Sequence, residues 1–136
     1  MVEHAGLAER VIVESFGTAG YHTGGKADAR AIAALRRRGW PADGHRARRI
    51  TADDLERCDL VLCADRANIA EVQRLAQRDA DRAKIQLLRS FDPDVTPADD
   101  EVPDPWYGDS RDFDHALDLI EAACHGLVEQ LAVTAR

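Results

Sequence analysis

The run DLVLCAD, residues 59–65, constrains the fold more than any other stretch. Its apolar centre is continuous rather than alternating, and aspartates bound it on both sides. That is the pattern of a strand buried on both faces, as in a parallel sheet. Such a strand needs helices on either side of it. RANIAEVQRLAQR (66–78) follows at once and reads as an amphipathic helix with Ile69, Val72 and Leu75 on one face. KIQLL (84–88) reads as the next strand.

The same logic extends along the chain. RVIVES (10–15) is a β-branched run and predicts a strand. FGTAGYHTGG (16–25) is a glycine-rich loop. DARAIAALRRRG (28–39) predicts a helix stopped by Gly39, and WPADGH is a turn. TADDLERC (51–58) predicts a short helix with Thr51 as N-cap and acids in its first turn. Residues 89–110 are a long loop. The last helix spans 110–134, with Phe113, Leu117, Ile120, Cys124, Leu127 and Leu131 toward the core and Gly126 as a weak point. Strands alternate with helices, so the expected fold class is α/β, a three-layer sandwich with a mostly parallel sheet. Ligands of such sheets sit at the carboxyl ends of the strands, which here feed the loops 16–28, 63–68 and 89–110.

At 136 residues the chain is expected to form a single domain. No apolar run reaches membrane-spanning length and nothing resembles a signal peptide, so the expectation is a cytoplasmic protein without membrane contact. A net charge of −7 argues against nucleic acid as a partner. The basic clusters at 36–38 and 45–49 read as a solvated helix end and a loop, with a local anion site as the minority reading. Three cysteines without C-x-x-C spacing and five scattered histidines predict reduced thiols and no metal site. The acid-rich stretch from Asp92 to Asp118 lacks the alternation and glycine of a calcium loop.

One segment is unusual. EVPDPWYGDSRDF (101–113) sets Trp106 and Tyr107 side by side among acids, prolines and glycine, in a chain with seven aromatic residues. Neither a helix nor a central strand suits that composition. Two flat rings on a loop, next to a carboxylate, suit a flat ligand on which acid chemistry is done. Taken alone, Asp104 reads first as a turn residue before Pro105, and Trp106 as a packing anchor.

ESFGTAGYHTG, HRARRIT, DLVLCADRAN, LLRSFDP and DPWYGDSRDFDHALDLIE occur in this order across nearly the whole chain. Together they resemble the low-molecular-weight protein tyrosine phosphatases, with DPWYGD close to that family's Asp-Pro-Tyr-Tyr-Gly signature. The resemblance implies that Asp104 is the general acid that protonates the leaving phenolate. It implies that Trp106, Tyr107 and, on the opposite wall, Tyr21 enclose the phosphotyrosine ring. Ser15 and His45 match positions that support the phosphate loop, and Asp92 in SFDP matches a structural loop residue. The implied substrate is a phosphotyrosine protein or a small aryl phosphate, and no cofactor is needed.

The family's nucleophile lies in C-x-x-x-x-x-R, where backbone N–H groups and a helix N-terminus bind the phosphate and lower the thiol pKa. The arginine holds two phosphate oxygens. Six places after Cys58, Cys63 and Cys124 stand Ala64, Ile69 and Gln130, so none of them belongs to such a motif. In the family the motif lies upstream of the stretch matching MVEHAGLAERV. The sequence is therefore expected to begin inside the first helix, without the first strand and the phosphate loop, about twenty residues by ordinary element lengths. Met1 as an internal methionine is favoured over a naturally shortened relative, because the acid loop and its aromatics are retained. The missing strand would be central, between 10–15 and 59–65. Its absence would expose sheet edges through which the chain could form a homodimer. As given, the chain is expected to be inactive. The alternatives are a pseudophosphatase acting as a binding module and an arsenate reductase on the same fold.

Overall fold

A computed structural model of the protein describes residues 11–16, 29–40, 48–103 and 109–134, without the side chains of 29–32, 110 and 134. The elements in chain order are α1 (Ala29–Arg37), α2 (Ala52–Arg57), β1 (Val61–Cys63), α3 (Arg66–Leu75), α4 (Asp79–Arg82), β2 (Ile85–Leu87), a 3₁₀ helix (Leu88–Phe91) and α5 (Ser110–Thr134).

The parallel pair expected from the two apolar runs is present. β1 and β2 run parallel with Val61 opposite Ile85, Leu62 opposite Gln86 and Cys63 opposite Leu87. Both strands are shorter than the apolar runs that announced them. α3 covers one face, where Ile50, Leu55, Cys63, Val72 and Ala76 form a buried cluster against Phe16, Val61, Ile69, Leu75 and Ile85. Outside that cluster Ala34 of α1, Val102, and Phe113, Ala116 and Ala123 of α5 are also buried, and α1 packs against α5.

Local chemistry explains where the helices begin and end. Thr51 starts α2 with a reciprocal capping box. Its Oγ1 accepts from the Asp54 amide at 3.3 Å, and Asp54 Oδ2 accepts from the Thr51 amide at 3.0 Å. Lys84 Nζ donates to the carbonyls of Leu55 and Glu56, covering the end of the same helix. α1 stops at Gly39, whose φ of +79° is the left-handed conformation that glycine adopts without strain. The Gly39 amide donates to Arg36 O and the Trp40 amide to Leu35 O, both at 3.0 Å, the two bonds of a Schellman motif. The basic run 36–38 is mainly a helix end. Arg36 and Arg37 are exposed, while Arg38 crosses to α5 and pairs with Asp118 at 2.9 Å and Glu121 at 3.3 Å.

Three expectations need correction. Residues 11–16 are irregular, not a strand. Ile12 is 90% and Val13 74% exposed, and the sheet among the described residues consists of β1 and β2 alone. β propensity expresses packing against a neighbouring strand, and among the described residues none supplies it. The helix expected over 66–78 ends at Leu75, and a separate short helix, α4, follows. The loop expected over 89–110 opens with the 3₁₀ helix, which lies against α5. A Cβ on Gly126 would stand 1.9 Å from the Phe91 carbonyl oxygen, so this glycine is the seat of the 3₁₀ helix.

Candidate active site: the anchored base of the acid loop

The chain leaves β1 at Ala64 and enters α3 through Asp65, whose Oδ1 accepts from the Asn68 amide at 2.8 Å. The end of the long loop returns to the same place. The Val102 amide donates to Ala64 O at 2.8 Å. Glu101 Oε2 accepts from the Arg66 amide at 2.7 Å, and the Arg66 guanidinium meets Asp100 through two bonds of 2.8 and 2.6 Å. That pair holds the Asp100 carboxyl below its usual range. Residues 100–102 are thus fastened at the carboxyl end of β1, and the chain reaches an exposed Pro103 immediately before Asp104.

The other end of the loop is built around two buried charges. Arg89, in the 3₁₀ helix, is 4% exposed and Asp92 6%. Asp92 Oδ1 accepts from the Asp94 amide at 2.9 Å and so closes the turn after the 3₁₀ helix. Arg89 Nη1 donates to Asp99 Oδ1 at 2.5 Å and to the Glu101 carbonyl at 3.1 Å.

A cavity of about 390 Å³ opens beside this base. Leu35, Ala64, Asp65, Val102, Pro103 and Phe113 are among its walls, so α1, the end of β1, the acid loop and α5 all border it. Its walls are mainly apolar, which suits an apolar or aromatic occupant.

The sequence expectations fall unevenly on this frame. Asp104, Trp106, Tyr107, Tyr21 and His45 lie outside the described residues. Ser15 is exposed on the irregular 11–16 segment, which α2 holds through an Arg57–Glu14 ion pair of 2.7 Å. Asp92 is the buried turn residue just described. The sequence reading missed Arg89, Asp99 and Glu101, although the spacing of Arg89 and Asp92 in RSFD brings arginine and aspartate within reach across one helical turn.

Two of the thiols are unsuited to act as nucleophiles here. Cys63 ends β1 but is buried, and that burial, with Asp65 nearby, pushes its thiol up to about 11. Burial also pushes the Cys124 thiol up. A thiol of that kind is a small core residue at neutral pH, since the thiolate is the reactive form. Among the described residues no group of three His, Cys, Asp or Glu side chains is arranged to hold a metal ion. Nor is any described helix long and apolar enough to cross a membrane.

The family model for low molecular weight phosphotyrosine protein phosphatase matches residues 1–136. The low molecular weight protein-tyrosine-phosphatase of Streptomyces coelicolor is 42% identical over 127 residues, covering 93% of this chain and 77% of that protein. Low molecular weight protein-tyrosine phosphatase A of Mycobacterium tuberculosis is 39% identical over 126 residues, with 93% and 74% covered. The crystal structure of a protein tyrosine phosphatase from Entamoeba histolytica, with Hepes in its active site, superposes with a TM-score of 0.90 at 28% identity, over 99% of this chain and 84% of that one. The α/β fold, the order of its elements and these likenesses together show that the chain belongs to the low molecular weight phosphotyrosine protein phosphatase family.

Proposed function

We propose that this chain carries the acid loop and substrate walls of a tyrosine-phosphate monoesterase that needs neither metal nor cofactor. Asp104 delivers a proton to the leaving phenolate oxygen as the P–O bond breaks. Tyr21, Trp106 and Tyr107 enclose the aromatic ring, while Ser15, His45 and Asp92 support the loops around it. The nucleophilic cysteine and the phosphate-binding arginine come from residues outside these 136, because the sequence holds no C-x-x-x-x-x-R. The chain as given is therefore inactive by itself. The thiolate of that segment attacks phosphorus to form a phosphocysteine, which water then clears.

The observation that carries this reading is the fastening of residues 100–102 at the carboxyl end of β1, one residue short of Asp104. In parallel sheets that is where ligands sit. The cavity beside it, and the edge of β1 turned away from β2, support placing the family's first strand and phosphate loop there, which would complete a three-layer sandwich in one domain.

In the protein carrying its phosphate loop, Asp104→Asn should slow hydrolysis of phenyl phosphate by about 10²–10⁴-fold, the usual contribution of a positioned general acid. Unchanged turnover would remove Asp104 from that role.

The chain is also proposed to form a homodimer through its sheet edges. The edge of β1 turned away from β2, unpaired among the described residues, supports this. Sedimentation equilibrium of the 136-residue chain checks it, and a monomer at all concentrations would rule the dimer out.

A further inference from the structure

The acid loop has two kinds of fastening, and they differ in strength. The Arg66–Asp100 pair lies at the surface, with the arginine side chain 60% exposed, so water and salt screen it. Arg89 is buried at 4% exposure and faces the buried Asp92, so its end of the tie is screened less, while its partner Asp99 stands at the surface. Its guanidinium reaches three points spread along the loop: Asp92 Oδ2 at 3.8 Å, Asp99 Oδ1 at 2.5 Å and the Glu101 carbonyl at 3.1 Å. Its Nε is buried without a hydrogen-bond partner among the described residues. A buried, unpaired N–H is costly. The site tolerates it because the planar fork turns Nη1 to Asp99 and Glu101 and Nη2 to Asp92, two directions that the single nitrogen of a lysine does not serve together. Below Arg89, Gly126 lets the 3₁₀ helix sit directly on α5, so the fork projects from a rigid base.

We propose that Arg89 is a positioning residue for the general acid. Resting on the phosphatase reading above, the inference is that Arg89 sets the register in which the chain passes Val102 and Pro103 to present Asp104 to the leaving oxygen. It touches neither substrate nor the reacting atoms. Its effect passes through the Glu101 carbonyl to the Val102 amide, which is held on Ala64 O at 2.8 Å.

Two variants test this. Arg89→Lys keeps the charge and loses the fork. Asp99→Ala removes one arm of the tie at a side chain that is 74% exposed, so the fold tolerates it. In the 136-residue chain, amide exchange at Val102 should quicken at least tenfold in both variants, while the amides of α5 keep their protection. Unchanged exchange at Val102, or equal acceleration everywhere, overturns the inference.

The second readout uses the protein with its phosphate loop and two esters. A displaced general acid hurts a poor leaving group most, so turnover of phenyl phosphate should fall at least tenfold further than that of p-nitrophenyl phosphate. An equal fall with both esters marks Arg89 as merely structural and overturns the positioning role. If the unsubstituted protein hydrolyses neither ester, the phosphatase reading fails, and the exchange data still decide the tie.

Discussion

Replacing Gly126 with alanine sets two effects of opposite sign against each other. α5 is 25 residues long, and Gly126 lies in its interior. There alanine is preferred over glycine by about 1 kcal/mol. Packing points the other way. The new Cβ would stand 1.9 Å from the Phe91 carbonyl oxygen and 3.0 Å from its carbonyl carbon. The oxygen contact is about 1 Å or more inside ordinary van der Waals separation. The atom in the way is backbone, so no side-chain rotation relieves the clash, and the 3₁₀ helix has to lift from α5. Overpacking of this kind costs about 1–3 kcal/mol, and moving backbone places it at the upper end. After the propensity gain, the net loss is about 1–2 kcal/mol, which for a chain of this length lowers Tm by roughly 3–8 °C. Thermal unfolding followed by far-ultraviolet circular dichroism measures this directly. His125→Ala, at an exposed neighbouring position, is the control and should stay within about 0.5 kcal/mol of the parent. If Gly126→Ala melts at the same temperature as the parent or higher, propensity outweighs packing, and the close approach of the 3₁₀ helix is refuted.

Thr51→Ala removes one half of the α2 capping box and should cost about 1 kcal/mol by urea unfolding; no change would mean the cap is redundant. Burial would raise the Asp54 carboxyl, but hydrogen bonds from Thr51, Arg57 and Arg48 outweigh it and hold the group at about 2 instead of 3.8. A depressed folded-state pKa stabilises above the unfolded value, and that stability is lost as pH falls from about 4 toward about 2. Asp54→Asn should therefore flatten the acid limb of a stability–pH curve, and an unaltered limb would contradict the assignment. The Asp81 carboxyl, held low by Arg78 and then Lys84, acts in the same direction. The Cys63 thiol, pushed up to about 11 by burial, should resist iodoacetamide at pH 8 in the native protein and react only on unfolding; rapid native labelling would mean that its pocket is open.

Much of the fold was legible because its determinants are local. The Thr51 cap, the Gly39 stop, the 66–75 helix and the apolar runs of β1 and β2 each depend on a few neighbouring residues. The strand expected at 10–15 is absent among the described residues 11–16, because a β-branched run becomes a strand only when another strand pairs with it. The family and its kind of chemistry were likewise written in short motifs, and the proposed acid and aromatic residues rest on the same motifs. What the motifs did not contain is how the acid loop is held. Arg89 looked like any arginine in a loop, and Gly126 like a flaw in a helix.

The sequence by itself determined the runs that form β1, β2 and the helices and the helix ends at Thr51 and Gly39, each carried by spacing within one segment, and the membership of the family, carried by motifs in order along the chain. Only the tertiary structure decided that Gly126 is the seat of the 3₁₀ helix, that Arg89 is buried among the acids of its own loop, and that Val102 closes onto Ala64. Phe91 and Gly126, or Ala64 and Val102, lie far apart along the chain. Nothing in either segment specifies the meeting until the sheet and α5 bring them into contact.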